Sequence, residues 1–210
     1  MSNGFNIMYN TILKEGKQES EMKKRIIVGA TGASGLPILI QCLKLIREQE
    51  EFESYLIMTK SAKLTLEHET NLKVEEVEAL ADYVLDQSEI GAGPASGSFK
   101  TEGMVIVPCS MKTIAGIHSG YAENLVLRAA DVTIKEQRPL VLAARETPLS
   151  AIHLRNLQEL AMIPGVRIIP PMLTFYHMPE SIEEMTYHIA AKLLEPFGIE
   201  AREYRRWKGL

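Results

Sequence analysis

The stretch KRIIVGATGASGLPILIQCLKLI, residues 24–46, places a strand pattern, a glycine turn and a helix pattern in immediate succession. Arg25–Ala30 is a β-branched run that predicts a buried strand. From Gly35 to about Glu48 the apolar residues recur at helical spacing, which predicts an amphipathic helix. The turn between them, GATGASG, lets backbone N–H groups approach a bound group at a helix N-terminus. The stretch therefore predicts the first strand–turn–helix unit of an α/β fold.

Three explanations fit this turn: a nicotinamide dinucleotide site, a site for a flavin phosphate, or a tight turn without a ligand. A dinucleotide site requires an acidic residue about 20 positions further on, to bind the ribose hydroxyls. The second predicted strand ends instead in Met58-Thr59-Lys60-Ser61. The hydroxyl of Thr59 suits a mononucleotide, whereas a lysine could accept the additional phosphate of NADP. All three explanations stay open on these residues alone.

The rest of the chain alternates between strand and helix patterns. Further strands are predicted at Ser54–Thr59, Met104–Val107 (ended by Pro108), Leu140–Ala144 and Val166–Ile169. Helices are predicted from about Ser61 and at about Val74–Leu85, 111–118, 123–136, 150–162 and Ile182–Leu194. Residues 88–101 are rich in glycine and serine and predict a functional loop. The pattern predicts a single α/β domain whose mainly parallel sheet carries helices on both faces, with binding at the carboxyl ends of the strands.

The composition indicates a globular protein and argues against nucleic-acid-binding, membrane-spanning and disulfide-rich classes. The 210 residues are 46% hydrophobic and 24% charged, which is ordinary for a globular protein. A net charge of −4 without a long basic run argues against a nucleic-acid partner. No apolar stretch reaches the ~18 residues of a membrane span, and two cysteines are too few for a disulfide framework. We therefore expect a cytoplasmic protein without a membrane partner. Polar residues 1–22 predict a disordered extension before a domain at 23–210.

Two further loops follow predicted strands and carry reactive side chains. Ser110, Lys112 and Thr113 place two hydroxyls and an ammonium at a helix N-terminus, which is a second anion or polar-ring site. Ser110 alone fits a simple N-cap equally well. Arg145 and Glu146 are either a solvated surface pair or, at the end of a strand, a phosphate clamp and an acid/base. The scattered histidines have no metal-ligand spacing, so no metal is expected.

Several segments together resemble the flavin prenyltransferases of the UbiX type: GATGASG, SGSFKTEGMVIVPCSMKT, RAADVTIKE, RETPLS and PPMLTFYHMPES. The likeness runs from about residue 24 to the C-terminal RRWKGL. It implies a flavodoxin-like (Rossmann-type) domain that assembles into a homo-oligomer, typically a dodecamer. The implied activity joins a dimethylallyl group from dimethylallyl phosphate to N5 and C6 of reduced FMN, without a metal. The product, prenylated FMN, is the cofactor of a partner UbiD-type decarboxylase of aromatic acids.

The resemblance also implies roles for individual residues. Ser34 places its hydroxyl near flavin N5, Arg145 lies at the flavin and the substrate phosphate, and Glu146 is the acid/base. The remaining flavin-binding positions are Gly32, Ala33, Thr59, Ser110, Met111, Lys112 and Thr113. The substrate-phosphate pocket is Arg128, Lys135, Tyr176 and Lys192, and Lys135 is also counted as catalytic with Ser34 and Glu146. Thr59 stands where the family usually has serine, and Lys192 is sometimes arginine in relatives.

Three other functions compete with the transferase. A non-catalytic flavin carrier of a decarboxylase complex needs the flavin turns but not Lys135, Glu146 and Lys192, so their joint presence favours catalysis. A flavin-dependent decarboxylase of peptidyl-cysteine is expected to use a catalytic histidine and a substrate-clamp motif, which this sequence does not display. An NADP reductase is disfavoured by the lack of other features of a nicotinamide site.

Overall fold

The computed structural model describes residues 23–209, which form a six-stranded sheet covered by helices. The strands are β1 (Lys24–Ala30), β2 (Phe52–Met58), β3 (Tyr83–Asp86), β4 (Gly103–Cys109), β5 (Leu140–Ala144) and β6 (Val166–Ile168). The helices are α1 (Leu36–Arg47), α2 (Lys60–Glu69), α3 (Val74–Glu78), α4 (Met111–Ser119), α5 (Leu125–Lys135), α6 (Ala151–Ala161) and α7 (Ile182–Leu194). The predicted extension at 1–22 lies outside the described residues. Within 23–209, none of the helices is long and apolar enough to cross a membrane.

The order of the strands determines where a ligand can bind. The sheet runs β3-β2-β1-β4-β5-β6, and every neighbouring pair is parallel. The chain builds outward from β1 to β3 and then returns to place β4 on the other side of β1. Open α/β sheets bind ligands at such a reversal, outside the carboxyl ends of the strands. The binding edge is therefore the one where β1 and β4 end.

Both faces of the sheet are buried, and this burial explains why the strands can be predicted from the sequence as apolar runs. In β1, Ile26 and Val28 join the core that includes Leu39 of α1 and Leu193 of α7. Ile27 of the same strand joins the opposite core, formed with α4 and α5. A strand covered on both faces reads as a continuous β-branched run rather than an alternating one. The predicted fold class, a flavodoxin-like α/β domain, is confirmed.

The continuous helix predicted over Val74–Leu85 is wrong, because the structure divides this range between α3 and the edge strand β3. The carboxylate of Asp82 accepts hydrogen bonds from Ser54 N at 2.8 Å and Ser54 Oγ at 3.0 Å. Tyr83 stacks on Tyr55 with ring centroids 4.5 Å apart. These partners lie 28 residues away in the chain. Long-range pairing with β2, which local periodicity cannot reveal, overrides the helical pattern.

Strand β4 also extends beyond its predicted end at Pro108 and stops at Cys109. Proline cannot donate to a strand ladder, and the β4–β5 register shifts between Ile106 and Cys109, so Pro108 lies in an irregularity of the ladder. The carbonyl oxygen of Pro108 accepts hydrogen bonds from Thr31 N at 3.1 Å and Thr31 Oγ1 at 2.9 Å. The irregular segment thus connects β4 to the turn after β1.

Candidate active site

A crevice of about 580 Å³ opens at the carboxyl ends of β1, β2 and β4, where the strand order reverses. Hydroxyl groups and ammonium groups dominate its wall, which includes Thr31, Thr59, Ser61, Ser110, Lys112 and Thr113. Hydroxyls suit the polar atoms of a ring, and cations at a helix start suit a phosphate. Four of the residues predicted to bind flavin therefore share one crevice: Thr59, Ser110, Lys112 and Thr113.

Thr31 links the turn after β1 to the turn after β4 at this crevice. The sequence patterns assign no function to Thr31. Its buried hydroxyl donates to Pro108 O at 2.9 Å and accepts from Ser110 N at 2.8 Å. The N–H of Thr59 donates to Ala30 O at 3.0 Å. The turns after β1, β2 and β4 are thus bonded to one another, which preorganises the binding edge. Thr31 directly follows the buried strand β1, and this position is the sequence signal that could have identified it.

Two of the predicted hydroxyls are also helix N-caps. Thr59 Oγ1 accepts from Ala62 N at 3.1 Å, and Ser110 Oγ accepts from Thr113 N at 3.4 Å. A hydroxyl has one donor and two acceptor positions, so a capping hydroxyl retains capacity for a ligand. The capping and ligand-binding interpretations are therefore compatible. Met111, in contrast, packs its side chain into the core and leaves only its backbone for a ligand.

The glycines of the first turn are required by the turn itself. Gly35 has φ of +126°, a conformation that other residues rarely adopt. A Cβ atom on Gly32 would lie 2.5 Å from the Cβ of Ser61 at the start of α2. Between these two glycines, Ser34 is exposed and Ala33 is half-buried. The turn therefore presents its backbone and the Ser34 hydroxyl at the binding edge.

The carboxylate of Glu69 occupies the N-terminus of α1. Glu69 Oε2 accepts hydrogen bonds from Gly35 N and from Leu36 N, both at 2.9 Å. Two of the three explanations for the glycine turn place a ligand phosphate at this helix start, and the structure places the protein's own carboxylate there. Glu69 is separated from Gly35 by 34 positions, at the end of α2, so no local pattern pointed to it. A ligand must therefore use other groups of the turn than these two N–H groups.

Replacing Glu69 by alanine should lower the free energy of unfolding by about 1 kcal/mol, because two N–H groups at the start of α1 lose their partner. Urea denaturation of the ligand-free protein measures this loss. Glu67→Ala is the matched control, since Glu67 is exposed on the same helix. Equal urea midpoints for the two variants would contradict a capping role for Glu69.

Arg145 and Glu146 follow β5 at the same edge of the sheet. Arg145 N donates to Cys109 O at 3.1 Å, which holds the start of the loop beside the end of β4. Glu146 Oε1 accepts from Thr147 N at 2.9 Å. Both side chains are exposed, and within residues 23–209 neither takes part in a salt bridge. The two side chains therefore do not pair with each other in the described residues, and both charges face solvent.

Arg128 and Lys135 lie on α5, about two helical turns or roughly 10 Å apart along its axis. Arg128 Nε donates to Ala95 O at 3.2 Å, and its Nη1 pairs with Asp131 at 2.7 Å. Lys135, in the last turn, pairs with Glu136. This pair of cations lies along the loop at 88–101, with Arg128 at Ala95 and Lys135 beside Gly97, and does not line the crevice.

Tyr176 and Lys192 lie in another part of the chain. Tyr176 follows β6, and its hydroxyl is 3.4 Å from Nε2 of His188 on α7. Lys192, one turn further along α7, donates to Glu195 at 2.5 Å. The hydrogen bond to Glu195 raises the pKa of Lys192, so its ammonium stays charged. Within one chain, the predicted phosphate pocket is thus divided into two pairs of residues, neither of which lines the crevice.

Cys109 is the remaining reactive side chain beside the crevice, and it is fully buried. Burial raises the pKa of the Cys109 thiol, so this neighbour of Ser110 is protonated and a poor nucleophile at neutral pH. Across the described part of the chain, no group of three or more histidine, cysteine or acidic residues is arranged to hold a metal ion. The polar groups that line the crevice are hydroxyls, amides, two lysines and the carboxylate of Glu123, which pairs with Lys112 at 3.6 Å.

Comparison with known proteins identifies the family. The Flavoprotein family model matches residues 14–193. A probable UbiX-like flavin prenyltransferase of Sedimentibacter hydroxybenzoicus is 48% identical over 185 residues, which cover 88% of this chain and 97% of that protein. The crystal structure of a dodecameric FMN-dependent UbiX-like decarboxylase from Escherichia coli O157:H7 has a TM-score of 0.86 and 48% identity, covering 88% of this chain and all of that one (100%). AnUbiX (PadA1), solved in complex with FMN and dimethylallyl pyrophosphate, has a TM-score of 0.86 and 44% identity, covering 90% of this chain and 99% of that one. The chain therefore belongs to the Flavoprotein family and, within it, to the UbiX-like flavin prenyltransferases.

Proposed function

We propose that this protein joins a dimethylallyl group from dimethylallyl phosphate to reduced FMN and releases phosphate. The observation that carries the proposal is the polar crevice at the reversal of strand order. The same fold, at 44% identity, was solved with FMN and dimethylallyl pyrophosphate in a relative. Reduced FMN supplies the nucleophilic N5 and C6 at which the two new bonds form. The protein's residues must hold the flavin, stabilise the departing phosphate and move protons.

The crevice suits FMN in size and chemistry. Its volume of about 580 Å³ and its several hydroxyls fit a ring with many polar atoms. Lys112 supplies positive charge at the N-terminus of α4, where a phosphate is stabilised. In this proposal the backbone of Gly32–Ser34 and of Met111 contacts the ring edge, and Thr59, Ser110 and Thr113 donate or accept at its polar atoms.

Breaking the C–O bond of dimethylallyl phosphate leaves an allylic cation and, once the departing oxygen carries a proton from Glu146, a hydrogen phosphate dianion. Fixed cations at the leaving oxygens stabilise the developing negative charge, and a site closed to water strengthens that effect. Arg145 is free of salt bridges in residues 23–209 and lies beside the crevice edge, which suits it to both flavin and phosphate. Arg128, Lys135, Tyr176 and Lys192 complete the phosphate pocket in this proposal, and Glu146 accepts and returns protons.

The separation of these groups within one chain indicates a site assembled between subunits. Arg128 and Lys135 border the loop at 88–101, whereas Tyr176 contacts α7 and Lys192 is part of α7. The relative from Escherichia coli O157:H7 is described as dodecameric. The segment around Tyr176 exposes large apolar side chains, which mark an interaction surface: Met172, Leu173, Phe175, Met178 and Ile182. We infer a homo-oligomer, a dodecamer, in which different subunits supply the two pairs.

The product has a proposed recipient. The family resemblance supports delivery of prenylated FMN to a UbiD-type decarboxylase of aromatic acids, as its cofactor, in the cytoplasm. Purifying the chain together with such a decarboxylase tests the delivery, because the decarboxylase should gain activity only when the chain, reduced FMN and dimethylallyl phosphate are all supplied.

A mixed assembly tests whether the site is shared. Glu146→Gln and Lys192→Ala should each be impaired alone. When both are co-expressed with different tags and purified on both, activity should rise to roughly a quarter of the parent level. The reason is that a site built from two randomly chosen subunits receives both native residues in about one case in four. Mixed assemblies no more active than the mean of the two variants would contradict a site shared between subunits.

A further inference from the structure

The carboxylate of Glu195 binds two cations at once. Lys192 Nζ donates to Glu195 Oε2 at 2.5 Å, and Arg206 Nη1 donates to Glu195 Oε1. The side chains of Lys192 and Arg206 are 53% and 57% exposed, whereas that of Glu195 is 29% exposed. Two cations held on the two oxygens of one carboxylate lie close enough together for a single phosphate group to contact both.

We propose that Arg206 is a further substrate-binding residue, which contacts the phosphate of the dimethylallyl donor together with Lys192, and that Glu195 is the counter-ion displaced by this phosphate. The inference rests on the proposed function, in which Lys192 belongs to the phosphate pocket. A lysine offers a phosphate one point charge, whereas a guanidinium offers two parallel donors that match two phosphate oxygens. Arg206 thus supplies the bidentate contact that Lys192 alone cannot make.

The position of Arg206 supports this role. Arg206, Tyr176 and Trp207 line one surface groove of about 790 Å³. Tyr176 is a residue of the proposed phosphate pocket, and its ring meets that of Trp207 edge-on at 5.6 Å. The guanidinium of Arg206 lies over the ring of Tyr204, 5.1 Å from its centroid, which restricts its orientation. The groove therefore combines a phenol hydroxyl, a guanidinium held in place and apolar ring surface.

The negative charge of Glu195 determines in which direction each substitution should change phosphate binding. Hydrogen bonds from Lys192 and Arg206 hold the pKa of Glu195 below its ordinary value, so the carboxylate is ionised at neutral pH. Its negative charge offsets part of the attraction between the two cations and an arriving phosphate. Removal of this charge should therefore strengthen phosphate binding, and removal of Arg206 should weaken it.

The competing explanation is that Arg206 only anchors the C-terminal segment. Arg205 provides a matched control, because it has the same charge, lies next to Arg206 and lines the same groove. Arg205 Nη1 donates to His177 O at 3.1 Å, and its Nη2 is 3.9 Å from Glu184, so it anchors the same segment without contacting Glu195. An anchoring role predicts the same behaviour for Arg205→Ala and Arg206→Ala, whereas a phosphate-binding role predicts different behaviour.

The test compares the parent assembly with Arg206→Ala, Arg205→Ala and Glu195→Gln. Inorganic phosphate is titrated by calorimetry, and kcat and KM are measured with dimethylallyl phosphate. Arg206→Ala should weaken phosphate binding and raise KM by about 10-fold, with a smaller change in kcat. Arg205→Ala should leave both constants within about twofold, and Glu195→Gln should bind phosphate about threefold more tightly.

Equal losses in Arg205→Ala and Arg206→Ala would overturn the proposal, and so would Glu195→Gln binding phosphate no more tightly than the parent. Phosphate titration requires no turnover, so the result is independent of the proposed function. A parent protein that forms no prenylated flavin would refute the transferase activity, while the phosphate titrations would still decide whether Arg206 and Lys192 bind an anion together.

Discussion

Replacing Glu146 by glutamine is expected to lower the rate of prenyl transfer by about 10²–10⁴-fold, which is the usual contribution of general acid–base catalysis. The amide keeps the size of the side chain and an oxygen that can accept from Thr147 N, as Glu146 Oε1 does at 2.9 Å. It removes only the ability to exchange a proton. FMN affinity should therefore stay within about twofold, because the crevice is lined by other residues.

Single-turnover formation of prenylated FMN measures the rate, and quenching of flavin fluorescence measures the affinity. Glu67→Gln is a suitable control, since Glu67 is an exposed carboxylate on α2. Unchanged turnover in Glu146→Gln would remove Glu146 from the mechanism, and loss of FMN binding would reassign it to a structural role.

Replacing Lys192 by alanine should lower kcat/KM for dimethylallyl phosphate by about 10–150-fold, the range expected for one charge-assisted hydrogen bond. FMN affinity should be nearly unchanged, since Lys192 lies on α7 and outside the crevice. Free phosphate should inhibit the parent protein, because it competes for the same cations, and should inhibit the variant much less. Initial rates at increasing phosphate concentration measure this difference.

Lys44→Ala is the control for Lys192→Ala. Lys44 is an exposed lysine on α1 that pairs with Glu183 at 3.8 Å, so its removal changes the net charge equally. Equal phosphate sensitivity of the parent and Lys192→Ala would mean that Lys192 is only a solvated helix residue. A non-catalytic flavin carrier would show neither the loss in kcat/KM nor the inhibition.

The sequence predicts the central elements of this fold well, for a physical reason. Leu140–Ala144 and Ile182–Leu194 have the predicted bounds, because burial of β5 on both faces and the buried stripe of α7 leave clear apolar patterns. The edge strand β3 was missed because its identity depends on Ser54 and Tyr55 of β2 rather than on its own residues. Elements determined by distant partners are the ones that local patterns misassign.

The residues of the candidate site likewise fall into those that local sequence patterns predict and those that depend on distant partners. Thr59, Ser110 and Thr113 were predicted because each lies near a strand end and parallel topology brings those ends together. Glu69 could not be predicted, since its contact with α1 depends on how α2 packs. Sequence patterns of one chain do not relate Lys135 and Lys192 to the crevice, because in the proposed assembly different subunits supply these two residues.

The most direct test of the central claim is the mass and absorption spectrum of the flavin released after anaerobic incubation of the protein with reduced FMN and dimethylallyl phosphate. We predict a flavin heavier than FMN by one dimethylallyl-derived unit, with an altered absorption spectrum. It should form only when protein, reduced FMN and dimethylallyl phosphate are all present. Recovery of unmodified FMN alone, from protein that binds FMN, would contradict the transferase function.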